Sequence, residues 1–302
     1  MHDSRHPSVT RRPGRTRQAH QTPTVLSIAG SDPSGGAGVQ ADLKTFSALG
    51  AYGAAVLAGL TAQNTQGVLG VRAIPAEFVT EQIDAVCTDL DVQAVKTGML
   101  GSPDVVVAVA EAISRHRIPH VVVDPVMVAA SGDRLVSAET VGTIRRELLP
   151  VATVITPNLP EAATLAEVAT PNAAHDAVDR AELAALGHAM RRHTSSAILV
   201  KGGHAGGERA VDVLVGDGYE HVLDEARTAT TNTHGTGCTL SSAIAVGLAH
   251  GQSLHRAALM AKEYLSAAIA AADDLQIGAG AGPVQHFHAW WRPHSPGGPR
   301  RE

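Results

Sequence analysis

The hydrophobic positions of this chain fall into short apolar runs that alternate with stretches of helical periodicity. The first run, residues 25–29, leads into a glycine-rich loop, after which Val39, Leu43, Phe46 and Leu49 follow at spacings of three and four. Side chains at these spacings share one face of a helix, whereas a short apolar run bounded by glycine is typical of a buried strand. The folded part therefore opens with a strand, a loop and a helix.

The same alternation continues almost to the end of the chain. Further strands are predicted at about 54–58, 93–96, 120–123, 153–156, 197–200, 210–215 and 219–224, and further helices at about 76–90, 103–117, 137–149, 159–168, 176–193, 237–250 and 253–272. Apolar strands separated by helices are typical of a mostly parallel sheet covered on both faces. The last two strands, joined by Gly216-Asp217-Gly218, predict an antiparallel edge hairpin. We expect a single α/β domain.

Polar and glycine-rich residues follow nearly every predicted strand. In open α/β sheets, ligands bind outside the carboxyl ends of the strands, so these residues are expected to share one site. They are Gly30-Ser31-Asp32, Gln63-Asn64-Thr65, Lys96-Thr97-Gly98-Met99, Asp124-Pro125-Val126-Met127, Thr156-Pro157-Asn158-Leu159-Pro160-Glu161 and Lys201-Gly202-Gly203-His204. Their convergence carries more weight than any single motif.

The strongest single candidate is the stretch Asn232–Thr239, in which Gly235-Thr236-Gly237-Cys238 opens a helix. A glycine-rich turn at a helix N-terminus leaves backbone N–H groups free at the positive end of the helix dipole. That arrangement suits phosphate or another anion. Cys238 lies in the first turn, where a thiol is expected to ionise more easily than usual.

The composition narrows the possible functions. Hydrophobic residues make up 44% of the 302 residues and charged residues 18%, which is typical of a packed globular chain. The net charge is −5, but residues 1–22 carry five arginines against one aspartate, so the remainder is more acidic than the total. An acidic body with only 3% aromatic residues disfavours nucleic-acid binding. No apolar run approaches the ~18 residues that a membrane span needs.

The cysteines and the tails bear on the compartment and the domain limits. Cys87 and Cys238 form neither a CxxC pair nor a disulfide framework, which fits a reducing cytoplasm. Residues 1–22 are expected to form a disordered basic tail without the apolar segment of a secretory signal. Residues 23–292 are expected to form the folded domain and residues 293–302 a disordered, proline- and glycine-rich tail.

Several blocks of the sequence resemble the hydroxymethylpyrimidine/phosphomethylpyrimidine kinases of thiamine biosynthesis. The similar blocks are Ala29–Phe46, Gln63–Thr65, Lys96–Leu100, Asp124–Met127, Ile155–Ala162, Val200–His204, Asn232–Thr239 and Gly282–Trp291. Together they span nearly all of the chain from Thr24 to Trp291. The resemblance implies a ribokinase-like fold, which is a three-layer α/β/α sandwich, often dimeric, that uses ATP with Mg²⁺.

The resemblance also implies two successive transfers at one site. The hydroxymethyl group of 4-amino-5-hydroxymethyl-2-methylpyrimidine would be phosphorylated first, and the monophosphate would then become the diphosphate. Gln63 would bind the aminopyrimidine edge, because an amide offers both a donor and an acceptor. Gly30, Met99 and Val126 would form the walls around the ring, and Asp32 would lie close to the reacting phosphates.

A second group of residues would act on the phosphates and the metal. By resemblance, Lys201 and Asn158 lie near the nucleotide phosphates, and Glu161 and Asp124 are the candidate Mg²⁺ ligands. The anion hole for the transferring phosphoryl group would be Gly235, Thr236, Gly237 and Cys238. Asn158 and Glu161, three residues apart, also match a helix capping box, and the two roles are compatible. Wider relatives carry an aspartate general base where this chain has Cys238, so the identity of the base stays open.

Two alternatives remain open at the level of the sequence. A pyridoxal or pyridoxine kinase shares the fold and a hydroxymethyl-bearing ring as substrate, although Ala29–Pro33 and Gln63 favour the pyrimidine. A non-catalytic pyrimidine-binding protein of the same fold is disfavoured by the intact 235–238 turn and by Lys201. Gly35–Gly38 lacks both the Walker lysine and the G-x-G-x-x-G spacing, so it predicts a loop. We expect a cytoplasmic, homodimeric enzyme that acts on small molecules.

Overall fold

The computed structural model describes residues 22–128, 135–169, 179–203 and 206–291. The two predicted tails, 1–22 and 293–302, lie outside the described residues apart from Thr22. None of the helices in the described ranges is long and apolar enough to cross a membrane.

One sheet of nine strands runs through the described part of the chain, in the order β3-β2-β1-β4-β5-β6-β7-β8-β9. The six strands β1, β2, β4, β5, β6 and β7 are mutually parallel, whereas β3, β8 and β9 pair in antiparallel fashion. The strands are β1 (Thr24–Ser31), β2 (Tyr52–Asn64), β3 (Gly67–Ala73), β4 (Val92–Thr97), β5 (His120–Val123), β6 (Val154–Ile155), β7 (Ala197–Lys201), β8 (Arg209–Gly216) and β9 (Tyr219–Ala226).

Helices cover both faces of this sheet. They are α1 (Gly38–Ala48), α2 (Ala76–Asp89), α3 (Pro103–His116), α4 (Ala138–Thr143), α5 (Leu159–Ala166), α6 (Arg180–Arg191), α7 (Thr236–Ala249) and α8 (Leu254–Ala270). Helix α4 continues into a π turn (Ile144–Leu148) and a 3-10 turn (Leu149–Val151), so the predicted helix 137–149 exists as a composite element.

Alternate residues of each central strand belong to different helical layers. In β5, Val121 and Val123 pack in the core that includes α2 to α6, whereas Val122 packs in the core that includes α1, α7 and α8. Successive side chains of a strand point to opposite faces, so a run of valines fills both cores. The predicted three-layer α/β/α sandwich is confirmed.

The edges of the sheet partly differ from the prediction. The β8–β9 hairpin around residues 216–219 is confirmed, with Gly216 paired to Tyr219. The second apolar run, predicted as 54–58, is longer and forms β2, which turns back into an antiparallel strand β3 that was not predicted. Residues 60–73 are largely exposed, and their mixed polar and apolar sequence lacks the apolar run on which the strand predictions depended.

Candidate functional site

The predicted anion turn lies at the N-terminus of α7, at the carboxyl edge of the sheet. Gly235 is the residue before the helix, with a φ of +81°, a left-handed conformation that glycine adopts without strain. A side chain at Gly235 would overlap the carbonyl oxygen of Gly36, so the turn is in close contact with the loop that follows β1. Among the described residues, the N–H groups of Gly237 and Cys238 have no hydrogen-bond acceptor. These free donors point to an anion site.

An ion pair, in which Asp124 is buried and Lys201 is 12% exposed, adjoins this turn. The Lys201 Nζ lies 3.0 Å from the Asp124 Oδ1, and a Cβ placed on Gly237 would lie 3.2 Å from the same Nζ. Thr156 also donates to the Asp124 Oδ1 at 3.1 Å. Burial opposes charge on both partners, but Lys201 lowers the pKa of Asp124 and Asp124 raises the pKa of Lys201. Both groups are therefore charged at neutral pH.

Asn158 and Glu161 form the capping box that the sequence predicts at the start of α5. The Asn158 Oδ1 accepts the Glu161 N–H at 2.9 Å, and the Glu161 Oε2 accepts the Asn158 N–H at 2.8 Å. Burial raises the pKa of Glu161 to about 7, partly offset by the charge of Lys201 and reinforced by that of Asp124. The capping role is confirmed, while the metal-binding role remains a prediction.

Cys238 corrects one expectation from the sequence. Burial raises the pKa of the thiol to about 11, and the charge of Lys96 offsets this only in part, because Asp42 and Asp124 act in the opposite direction. The expectation that the helix N-terminus makes this thiol easy to ionise is therefore wrong. The thiol is protonated at neutral pH.

The Asp32 carboxylate holds the loop between β1 and α1. It accepts hydrogen bonds from the N–H and hydroxyl of Ser34, from the N–H groups of Gly36 and Ala37, and from the His234 Nε2 at 2.8 Å. Burial would raise the pKa of Asp32, but the hydrogen bonds from His234 and Ser34 lower it to about 2. Asp32 therefore ties the loop to the anion turn.

The predicted ring-binding residues lie along the same edge. A Cβ on Gly30 would lie 2.6 Å from the terminal methyl group of Met99, so these two residues form one wall. The Gln63 Nε2 lies 3.5 Å from the His234 Nε2, which places the amide beside the loop and the turn. Val126 is half-buried after β5, two strands away from β1.

Three buried residues of this region were given no individual role from the sequence, although Lys96 and His234 lie in segments predicted to belong to the site. His234 bonds Asp32 across 202 positions of sequence, and Lys96 pairs with Asp42 beneath the turn. The signal for Lys96 was a lysine inside an apolar strand, and for Asp42 a carboxylate three residues after Val39 on the buried face of α1. The sequence contains no comparable signal for the partner of His234.

Comparison with known proteins identifies the family. The sequence profile described as phosphomethylpyrimidine kinase matches residues 32–285. The chain belongs to the phosphomethylpyrimidine kinase family. It is 53% identical over 272 residues to the hydroxymethylpyrimidine/phosphomethylpyrimidine kinase of Rhizobium meliloti, covering 90% of this chain and 99% of that protein. It is 49% identical over 267 residues to the corresponding Salmonella typhimurium kinase, covering 88% and 98%. The predicted family and the enzyme class, a kinase, are confirmed.

Solved structures support the same fold for this kinase. An ADP complex of Bacillus subtilis pyridoxal kinase superposes with a TM-score of 0.81 at 33% identity, covering 89% of this chain and 99% of that one. The phosphomethylpyrimidine kinase of Clostridium difficile 630 superposes with a TM-score of 0.71 at 39% identity, covering 82% and 100%. A Staphylococcus aureus pyridoxal kinase in complex with AMP-PCP and pyridoxal superposes with a TM-score of 0.80 at 28% identity, covering 90% and 96%.

Proposed function

We propose that this kinase transfers a phosphoryl group from ATP to 4-amino-5-hydroxymethyl-2-methylpyrimidine, and then phosphorylates the resulting monophosphate to the diphosphate, in thiamine biosynthesis. The observation that carries the proposal is the Lys201–Asp124 pair, which lies against the free N–H groups of the 235–238 turn. Phosphoryl transfer depends on positioning and on neutralising the charge of the moving group. Free backbone donors beside a buried ammonium group provide both.

The proposed catalytic role of the turn follows from its free donors. The N–H groups of Gly237 and Cys238 are fixed by the helix and need no rearrangement when charge develops on the phosphoryl oxygens. Gly235 and Thr236 supply the tight start of the helix, and Lys201 adds a full positive charge. Asn158 lies beside Lys201, to which its backbone is bridged, so it would contact the nucleotide phosphates from the next strand.

The acceptor ring would lie between the Gly30–Met99 wall and Val126, with the Gln63 amide at its polar edge. The Thr61 hydroxyl carries one proton and lies 2.8 Å from the Ser31 carbonyl, so it donates there. The Gln63 Oε1 lies 3.2 Å from this hydroxyl, and its Nε2 lies 3.5 Å from the His234 Nε2, so the oxygen keeps lone pairs for the exocyclic amine of the ring. The exocyclic amine of an aminopyrimidine would donate a hydrogen bond to this Gln63 oxygen.

Cys238 would act as a neutral hydrogen-bond donor to the phosphoryl group rather than as a base. The raised pKa keeps its proton in place, and a loose transition state needs little help to remove the acceptor proton. In the second transfer the acceptor is a phosphate monoester, already ionised. A neutral residue at position 238 is compatible with both substrates, whereas a fixed carboxylate would repel the ionised monophosphate of the second transfer.

Mg²⁺ is the ion that the resemblance implies, and Asp124 fits it better than Glu161. The Asp124 Oδ2 has one long contact, 3.4 Å from the Ser241 hydroxyl, and so keeps a lone pair free. The Glu161 Oε2 accepts the Asn158 N–H at 2.8 Å in the capping box, and burial raises the pKa of Glu161 to about 7, so it is less fully ionised at neutral pH than Asp124, whose pKa is lowered. Hard cations such as Mg²⁺ bind one or two carboxylates together with water and phosphate oxygens. When bound, Mg²⁺ would neutralise charge on the ATP phosphates.

A second candidate function is the phosphorylation of pyridoxal. The observation in its favour is the TM-score of 0.81 to a pyridoxal kinase, above the 0.71 to a phosphomethylpyrimidine kinase. A coupled ADP-release assay with the aminopyrimidine and with pyridoxal separates the possibilities. We expect a kcat/KM at least about 100-fold higher with the pyrimidine, because Gln63 presents an acceptor to its amine. Preference for pyridoxal would contradict the proposal, and ADP release with neither ring would indicate a binding protein.

We also propose that the enzyme works as a homodimer in the cytoplasm. Leu69 and Val71 alternate along the antiparallel edge strand β3 and are 80% and 44% exposed, so they offer one apolar face. A second copy of this chain would cover them. The two cysteines, Cys87 and Cys238, are both unpaired, which suits a reducing compartment.

A further inference from the structure

A fully buried ion pair lies beneath the anion turn and has no role in the chemistry described above. Neither Asp42 nor Lys96 is exposed at all, and the Lys96 Nζ lies 2.8 Å and 3.0 Å from the two oxygens of Asp42. Ser242 donates to the Asp42 Oδ1 at 2.7 Å, and Ser27 donates to the Oδ2 at 2.5 Å. Burying two charges is costly, and apolar side chains of similar size often fill such a space at no loss of stability.

The pair connects the starts of two helices. Asp42 comes four residues after Gly38, the first residue of α1, and Ser242 comes four residues after Cys238 in α7. Residues four apart share a helix face and are separated by about 6 Å along the axis. The Ser242 hydroxyl donates to Asp42 one helical turn into both helices, and the loops before these helices are joined by the His234–Asp32 hydrogen bond and the close approach of Gly235 to Gly36, so contacts at two levels join α1 to α7. The Asp42 contact adds a second level to the loop contacts, and contacts at two levels fix the relative height of the helices.

Lys96 lies in β4 and provides the positive charge that pairs with Asp42 from the sheet side. Its charge interacts with the Cys238 thiol and with Asp124 as well as with Asp42. A carboxylate alone at this depth, one helical turn from an anion site, would repel a phosphoryl group. The ammonium group of Lys96 cancels that repulsion, so Asp42 can join the helices without disturbing the anion site.

We propose that Asp42 and Lys96 are positioning residues for phosphoryl transfer, which hold the Cys238 thiol and the free N–H groups of its turn at a fixed height against the start of α1. The inference rests on the proposed kinase activity and deepens it. Asp42 supplies the contact between the helices, and Lys96 supplies the neutralising charge. A displacement of about 1 Å at a catalytic centre costs on the order of 100-fold in rate.

The test compares two double variants that both remove the two charges. Asp42→Leu/Lys96→Met also removes the contact with Ser242, whereas Asp42→Asn/Lys96→Met keeps an oxygen that Ser242 can bond. For the first we expect a melting temperature a few degrees below that of the wild type, because an apolar pair replaces a buried ion pair but leaves the Ser27 and Ser242 hydroxyls without their acceptor. We also expect a kcat lower by about 10- to 100-fold with an unchanged KM. The second double variant, Asp42→Asn/Lys96→Met, should retain most of the kcat that the first one loses. Equal kcat values in the two variants would overturn the proposal.

Alkylation of Cys238 gives a readout that does not depend on turnover. Both double variants are made in a Cys87→Ser background, so that Cys238 is the cysteine that iodoacetamide can modify. The modification should be at least about fivefold faster in Asp42→Leu/Lys96→Met than in Asp42→Asn/Lys96→Met, since the start of α7 is less firmly held in the former. Identical alkylation rates would overturn the positioning role. If the wild type released no ADP with either ring, the proposed function would fail, while the alkylation rates would still decide whether the pair fixes the thiol.

Discussion

At the scale of single residues, burial decides the chemistry of Cys238 more than its place in the helix. The position at the N-terminus of α7 favours a thiolate, but enclosure together with the nearby Asp42 and Asp124 raises the pKa to about 11. The same site keeps Asp124 and Lys201 charged, because each has the other within 3.0 Å. The neutral Cys238 thiol and the charged Asp124–Lys201 pair thus lie close together.

Cys238→Asp tests the value of a neutral residue beside an ionised acceptor. We expect the variant to keep the first transfer and to lose the second by roughly 100-fold, since two like charges about 5 Å apart repel by about 3 kcal/mol at a moderate effective dielectric. Cys238→Ser, which stays neutral, is the matched control and should retain both steps. Rates measured separately with the hydroxymethylpyrimidine and with its monophosphate show whether only the second transfer is lost. A second step as fast in the Asp variant as in the Ser variant would contradict the hypothesis.

Glu161 should make stability depend on pH near neutrality. Burial raises its pKa in the folded state to about 7, above the usual value near 4.3 that applies in the unfolded chain. The contribution of this side chain to stability is therefore complete below the unfolded-state pKa and is lost as the pH rises through the folded-state pKa of about 7. Between pH 5 and pH 8 the wild type should lose on the order of 2 kcal/mol more unfolding free energy than Glu161→Gln. Urea unfolding followed by circular dichroism measures this. The exposed Glu182→Gln variant should retain the wild-type slope, and a wild-type slope in Glu161→Gln would refute the assignment.

Local rules predicted the site residues whose position depends on their own strand or helix. Lys201 and Asp124 were predicted to lie close together because Lys201 ends β7 and Asp124 directly follows β5, and Asn158 was predicted to pair with Glu161 because capping boxes are short-range. Long-range partners were not predictable in this way. His234 bonds Asp32 from 202 residues away, and no periodicity encodes that pairing.

At the scale of elements, the site is a contact between two glycine-rich segments that each begin a helix. The loop 32–37 precedes α1 and the turn 234–235 precedes α7, and Asp32, His234 and the Gly36–Gly235 contact hold them together. The sequence predicted both helices to within a residue or two, because their apolar faces are regular. It did not predict β3, whose exposed, glycine-containing sequence has no apolar run and forms a strand only because β2 is there to pair with it.

Gly235→Ala tests this contact, and Gly251→Ala is its matched control. Both glycines have a φ of +81°, but only Gly235 has a neighbouring carbonyl, that of Gly36, in the space a Cβ would occupy. Gly251→Ala should cost about 1 kcal/mol of stability from backbone strain and leave kcat within about twofold. Gly235→Ala should lower the melting temperature further and reduce kcat by more than about 100-fold, since the turn must move. Thermal melts and ADP-release rates that match between the two variants would contradict this account.

At the scale of the whole molecule, the sheet has two different edges. The β8–β9 hairpin closes one end, whereas β3 forms the other and carries Leu69 and Val71 on its exposed surface. Edge strands with exposed apolar side chains pair with other chains unless they are covered. The proposed dimer would cover this edge.

Leu69→Glu should convert the proposed dimer into monomers, because a buried unpaired charge at an interface is strongly unfavourable. Sedimentation velocity at micromolar concentration would show the change in mass. Trp290→Glu is the control, since Trp290 is 72% exposed and belongs to the segment after α8. A wild-type chain that sediments as a monomer would contradict the homodimer directly.

The layer that holds the anion turn also has a consequence for how the chain is made. Val25, Ala94, Val122 and Val154 face a layer composed of α1, α7 and α8, and two of these three helices come from residues 236–270. Translation proceeds from the N-terminus at about 5–20 residues per second, so most of the sheet leaves the ribosome roughly ten seconds before its cover. During that interval one apolar face of the nascent sheet has only α1 as a covering helix within its own chain. The proposed phosphate site and the full cover of this face are therefore completed in the same late step.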